Sequence, residues 1–163
     1  QLNILAKGGG HKMAGGFVID QNKIETFREY LIKNYNKMKI NTSELSNIYL
    51  DTVIAPSAIN ESFYDEIEKL SPFGPGNSEP KFMIENLQLI SSYIIKDNHI
   101  KSLLRGEDGS IIKSFAWNAI NSPLESVLDK KNKRKINIAG RMKKNEWMGK
   151  KDIEFVIEDA SLS

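Results

Sequence analysis

From Phe82 to its end the chain alternates apolar with polar residues, and this stretch constrains the fold more than any other. Alternation with period two places one set of side chains on each face of a strand. The pattern predicts strands near 82–95, 99–105, 111–118, 135–143 and 152–159, with turn signals at "KDN" and "GEDGS". Pro123 to Leu128 predicts a short helix between the third and fourth strands. Ile136, Ile138 and Met142 share one strand face, as do Ile153, Phe155 and Ile157, so each of the last two strands offers a side to a core. Five strands with a helix between the third and fourth is the order of an OB-fold, a small Greek-key barrel that commonly binds oligonucleotides.

Upstream the pattern mixes strand and helix, which makes the fold class α+β. "GFVID" (Gly16 to Asp20) reads as a short strand, and Ile24, Phe27, Leu31 and Tyr35 then line one face of a helix. "IYLDTVI" predicts another strand. Asn60 is placed to cap "ESFYDEIEKL", whose Phe63, Ile67 and Leu70 share a face. Its acids, Glu61, Asp65, Glu66 and Glu68, cover the remainder, so this helix is expected to face away from any phosphate backbone. "SPFGPGNSEP" stops helix and strand alike, with Pro75-Gly76 suited to the centre of a type II turn. It reads as an architectural joint. No internal repeat is present.

The net charge of +2 hides a segregation. Residues 130–151, "KKNKRKINIAGRMKKNEWMGKK", hold ten basic residues and one acid, a local +9 that leaves −7 for the rest. Such a distribution fits a surface that meets a polyanion, and it equally fits a solvated loop followed by an exposed strand face. With 163 residues the chain suits one ordinary domain, or one small domain plus an appendage. The absence of cysteine excludes disulfides and thiolate metal sites and fits a reducing, cytoplasmic compartment. No apolar run reaches the ~18 residues of a membrane helix, and nothing resembles a signal peptide, so no membrane partner is expected. The chain opens on Gln1 and reads as the tail of something longer.

Two stretches carry candidate chemistry. In "KGGGHKMAGGF" (Lys7 to Phe17) consecutive glycines can turn their amides toward one point, forming an anion-binding nest, and His11 can donate to the same phosphate. The spacing matches neither the dinucleotide fingerprint nor the Walker loop, and a flexible loop with one surface histidine fits it too. In the barrel, the usual binding surface is the outer face of the second and third strands with the 1–2 and 4–5 loops. Those loops are expected to hold Lys96, then Lys144, Trp147, Lys150 and Lys151. His99, Lys101 and Arg105 alternate along one face of the second strand, and Arg141 and Lys143 face away from Met142 on the fourth. A cationic groove with a stacking ring suits a single strand, because every base has a π-face and every nucleotide a phosphate. Trp147 reads equally as a stacking ring or as a loop anchor on the barrel. Phe115 and Trp117 alternate with Ile111, which assigns them to the core.

"GGGHKMAGGF" resembles the signature of the DHH-associated domain of DHH-family phosphoesterases, Gly-Gly-His-x-x-Ala-Ala-Gly-Phe, and departs from it only at Gly15. "LSPFGPGNSEPKF" resembles the proline-glycine joint of the RecJ family of single-strand-specific DNA exonucleases. "NHIKSLL", "FAWN" and "KNEWMGKKDIEFVIED" are similar to strand segments of that family's OB domain, in the right order. The resemblance implies the end of a DHH-associated domain over 1–40, a strand–helix connector over 41–80 and an OB domain over 81–163. It further implies the single-stranded-DNA-binding C-terminal region of a 5′-to-3′ exonuclease of repair and recombination. Gly8, Gly9, Gly10 and His11 would then meet a substrate phosphate. Catalytic magnesium or manganese would belong to a separate N-terminal DHH domain, a partner of this chain, which has no Asp-His-His triplet and is expected to bind no cofactor itself. The alternatives are an OB-fold that contacts a protein partner, or a gene fragment without function.

Overall fold

The computed structural model describes residues 4–11, 14–37, 47–147 and 149–163, and for Trp147 and Lys150 the backbone only. The chain divides into two compact units, 1–47 and 48–163.

In the first unit, β1 (Leu5–His11) pairs antiparallel with β2 (Ala14–Ile19). The expected glycine loop is therefore a strand pair. Gly8 lies opposite Phe17, Gly9 opposite Gly16 and Gly10 opposite Gly15, and none of these glycines takes a left-handed φ. A nest requires alternating backbone handedness, so the amides of Gly8–Gly10 are not gathered into one. Only Gly10 is demanded by the hairpin itself: a Cβ there would stand 2.5 Å from the Ala14 carbonyl oxygen. A Cβ on Gly9 or Gly16 would meet nothing within 4 Å. The predicted helix follows as α1 (Ile24–Lys37), with the Phe17 and Phe27 rings edge to face at 4.8 Å. No residue of α1 is buried, and Ile24, Leu31 and Tyr35 of its apolar stripe remain exposed.

The second unit is built on a closed five-stranded barrel. β3 (Thr52–Val53) runs parallel to the start of β4 (Phe82–Ile95). β4 pairs with β5 (His99–Arg105), β5 with β6 (Ile111–Ala116), β6 with β8 (Lys150–Leu162), and β8 with β7 (Ile136–Trp147). β7 closes the ring onto β4, Phe82 opposite Gly140 and Ile84 opposite Ile138. The β6–β8 pairing is parallel, and the others in the ring are antiparallel. Closure brings the backbones of β7 and β8 so close that a Cβ on Gly140 would lie 1.9 Å from the Val156 carbonyl oxygen. Ile84, Leu87, Leu104, Ile112, Ile136, Ile138, Phe155 and Ile157 fill the interior.

The predicted helix between the third and fourth strands is α3 (Pro123–Val127), whose neighbour Leu128 is fully buried. α2 (Glu61–Glu68) starts as expected, the Asn60 Oδ1 accepting the Phe63 N–H at 2.9 Å. Phe63 packs on Phe82 at 5.7 Å between ring centres. At the joint, Gly76 has φ of +84° and the Gly74 and Asn77 backbones exchange hydrogen bonds across the Pro75-Gly76 corner. The Asn77 side-chain amide donates to the Leu70 and Pro72 carbonyls, which fixes the turn to the end of α2. The last two strands run longer than predicted, to Trp147 opposite Lys150, so Lys144, Trp147, Lys150 and Lys151 of the expected 4–5 loop are strand residues.

Candidate nucleic-acid interface

Strand alternation in β5 sends Ile100, Ser102 and Leu104 inward and His99, Lys101, Leu103 and Arg105 outward. β6 does the same with Ile112, Ser114 and Ala116 inside and Ile111, Lys113 and Phe115 outside. Phe115 therefore does not enter the core, and neither does Trp117, which is 54% exposed. Beside Ile100, Leu104 and Ile112 the interior between these strands also takes small polar residues: Ser102 and Ser114 share a buried hydrogen bond at 2.7 Å.

The outward aromatics form a cluster. The Trp117 ring lies 4.7 Å from His99 and 4.7 Å from Phe115, and His99 lies 5.6 Å from Phe115. His99 is oriented by its Nδ1, which accepts the Asn118 N–H at 3.0 Å. An accepting nitrogen carries no proton, so the neutral imidazole keeps its N–H on Nε2. Beside the cluster runs an open groove of about 230 Å³, lined by Ile95, Lys101, Phe115, Trp117, Lys143 and Asn145 among others.

The cations here fall into two kinds. Lys101 Nζ stands 2.8 Å from Glu154, and this hydrogen bond, with the carboxylate charge, holds the ammonium pKa above its ordinary value. Lys113 of the same face is paired with Asp152. Lys143, which lies across the ladder from Glu154, is exposed and has no ion pair among the described residues. The groove thus joins two rings to one unpaired ammonium.

The structure distributes the other expected residues differently. Lys144 points to α2, its Nζ 2.7 Å from Glu61 and 3.1 Å from Asp65, and both bonds raise its pKa. The acidic face of α2 is thus turned onto a lysine expected to meet phosphate. Arg141 is held between Glu79 at 3.2 Å and Glu158 at 3.7 Å, so it is not a free outward cation. Lys135 of the same basic segment pairs with Glu107. The +9 of the sequence is therefore partly neutralised by acids distant along the chain. Lys96 sits in the β4–β5 turn with φ of +50°, exposed at the His99 end of β5. Arg105 is exposed at the strand's opposite end. Lys151 is exposed and pairs in the ladder with Glu146. Trp147 and Lys150 face each other in the ladder, and their side chains lie outside the described residues. Gly8, Gly9, Gly10 and His11 are exposed along β1. Among the described residues no group of three or more histidine or acidic side chains could hold a metal ion.

Residues 50–159 match the family model described as the RecJ OB domain. The chain belongs to the RecJ OB-domain family. Curated RecJ relatives carry the name single-stranded-DNA-specific exonuclease. The Bacillus subtilis RecJ is 29% identical over 167 residues, covering 99% of this chain and 20% of that protein. The Thermus thermophilus RecJ is 24% identical over 147 residues, covering 90% of this chain and 20% of that protein. The chain thus spans about a fifth of the length of these RecJ relatives. Two crystal structures of RecJ from Thermus thermophilus share the fold. The manganese complex superposes with a TM-score of 0.58 at 20% identity, covering 98% of this chain and 22% of that one. The magnesium complex gives 0.56 at 21%, covering 96% and 23%.

Proposed function

We propose that this chain is the single-strand-binding C-terminal region of a RecJ-like 5′-to-3′ exonuclease, and that its barrel holds single-stranded DNA across the outer face of β5, β6 and β7. The observation that carries this reading is the His99–Phe115–Trp117 cluster beside the unpaired Lys143. The exposed Trp117 ring, beside the half-buried Phe115 and His99, offers a stacking surface to any base, and a neighbouring ammonium offers a phosphate contact. Lys96 extends the cationic edge at the turn. In the complete enzyme, a separate DHH domain would hold magnesium or manganese and carry the hydrolysis, and this chain works in the cytoplasm with that domain as its partner. Gly8, Gly9, Gly10 and His11 meet a phosphate there. A Cβ on Gly9 would meet nothing within 4 Å, so the hairpin's own packing does not demand glycine there.

A second reading, a protein-interaction module, draws on the internal pairing of Lys101, Lys113, Arg141 and Lys144. A charge-balanced barrel surface suits a protein partner as well as a polyanion. Binding titrations of a labelled single strand, a blunt duplex and a salt series separate the two. The nucleic-acid reading expects single-strand preference and affinity that falls with salt, at about −0.7 in log–log slope per phosphate neutralised. Equal affinity for duplex, or salt-independent binding, would count against the single-strand reading and favour the protein-partner one. Incubated with manganese, a 5′-labelled single strand should survive the purified chain uncut. Chelator-sensitive shortening would refute the separate-domain assignment.

A further inference from the structure

Resting on the reading of this face as a single-strand groove, we propose that Glu154 limits the groove to one phosphate contact by keeping Lys101 as its own counter-ion. Glu154 is 7% exposed, in ladder register between Lys113 of β6 and Lys143 of β7. Its Oε1 lies 2.8 Å from Lys101 Nζ, and its Oε2 accepts the Asn145 amide at 2.5 Å. Both carboxylate oxygens are held, and the acid stands in the middle of the cations that would otherwise define a phosphate track. A phosphate drawn to Lys101 would lie next to this fixed, poorly solvated negative charge, and like charges in such a setting repel strongly. Lys113 is withheld in the same way by Asp152. The phosphate therefore settles at Lys143, and the rings of Phe115 and Trp117 supply the rest of the grip. A contact made mostly by stacking and one ammonium is indifferent to sequence and weakly dependent on salt, which suits a strand that must slide through rather than stay.

The test uses the full 163-residue chain and a short fluorescein-labelled oligothymidylate, titrated by anisotropy across a salt series. Glu154→Gln keeps the side-chain shape and the Asn145 contact while removing the charge. The expected result is a log–log salt slope steeper by about 0.7, one additional phosphate. Affinity at low salt should rise roughly two- to fivefold, the scale of one exposed ion pair. The double variant Lys101→Met with Glu154→Gln, which buries no unpaired charge, should return to the native slope. An unchanged slope in Glu154→Gln, or a double variant shallower than native by about 0.7, would overturn the proposal, because Lys101 would then already hold a phosphate. If the single variant does not fold, the double variant alone decides. Lys143→Met and Trp117→Ala test the underlying reading separately. If neither weakens binding, the groove itself is misassigned. If both do while Glu154→Gln keeps the native slope, only the role of Glu154 falls.

Discussion

The hairpin–helix unit and the barrel unit obey the same sequence rules and reach opposite ends. In the barrel the alternating residues find each other, and Ile84, Leu104 and Phe155 vanish from solvent. In the N-terminal unit the helical stripe forms just as the spacing demands, yet Ile24, Leu31 and Tyr35 stay exposed. The two strands and one α-helix among the described residues of this unit enclose too little volume to bury a stripe, whereas a sheet closed on itself buries one face of every strand. Pattern alone therefore predicts elements, and closure decides whether their apolar faces are buried.

The sharpest break of that comparison is a pair of truncations. Phe155→Ala removes a fully buried ring, and changes of this kind cost about 3–5 kcal/mol. Leu31→Ala removes an exposed side chain of α1 and should alter unfolding by no more than about 0.5 kcal/mol. Urea denaturation of both variants measures the contrast. Equal losses would mean that the apolar stripe of α1 is covered in solution.

The second contrast lies within the barrel, between the ring cluster and the paired lysine. Trp117→Ala should weaken single-strand binding by about 1–3 kcal/mol per base stacked, with thermal stability nearly unchanged. Lys144→Met should do the reverse. It deletes the contacts to Glu61 and Asp65 that tie β7 to α2, and it leaves the groove intact. Because the folded pKa of Lys144 is raised above 10.5, its stabilising contribution is complete below that value and lost as pH rises through the raised one. The difference in melting temperature between native and Lys144→Met should thus be present at neutral pH and shrink in strong alkali. A constant difference across that range would mean the effect is not the ion pair.

These two residues also mark what the sequence could and could not reveal. Strand positions, the Asn60 cap and the Pro75-Gly76 corner are legible because each depends on neighbours a few residues away. The face of β6 is not, because two of its three inner residues are small, Ser114 and Ala116, while Ile111 and Phe115 point outward. Hydrophobicity points the wrong way there. Lys113, in phase with Phe115, is the available signal that this side meets water. The charge pattern misleads for another reason: Lys144 is neutralised by Glu61 and Asp65, far off along the chain, and no local pattern encodes that pairing. Trp117, expected in the core, thus becomes the central candidate, while Lys144 leaves the interface.

The smallest expected effect is the most pointed, since it concerns two adjacent glycines. At Gly10 the hairpin itself forbids a side chain, because a Cβ would press on the Ala14 carbonyl oxygen at 2.5 Å and on the Gly15 Cα at 2.6 Å. Gly10→Ala should open the end of the β1–β2 ladder, read as faster amide exchange across Gly8 to His11 and a shifted His11 resonance. At Gly9 nothing lies within 4 Å of the place a Cβ would take, and the φ there is one that alanine accepts. Gly9→Ala should therefore leave exchange rates in this chain as they are, or slow them slightly, since alanine has less conformational freedom to lose. The same substitution in a complete RecJ-type enzyme then isolates the outside world. Loss of single-turnover cleavage there, with exchange in this hairpin unchanged, would mean that the empty space above Gly9 is filled by substrate. Full activity would mean that Gly9 is glycine for no reason connected with a phosphate, and the role proposed for Gly8 to His11 would have to rest on His11 alone.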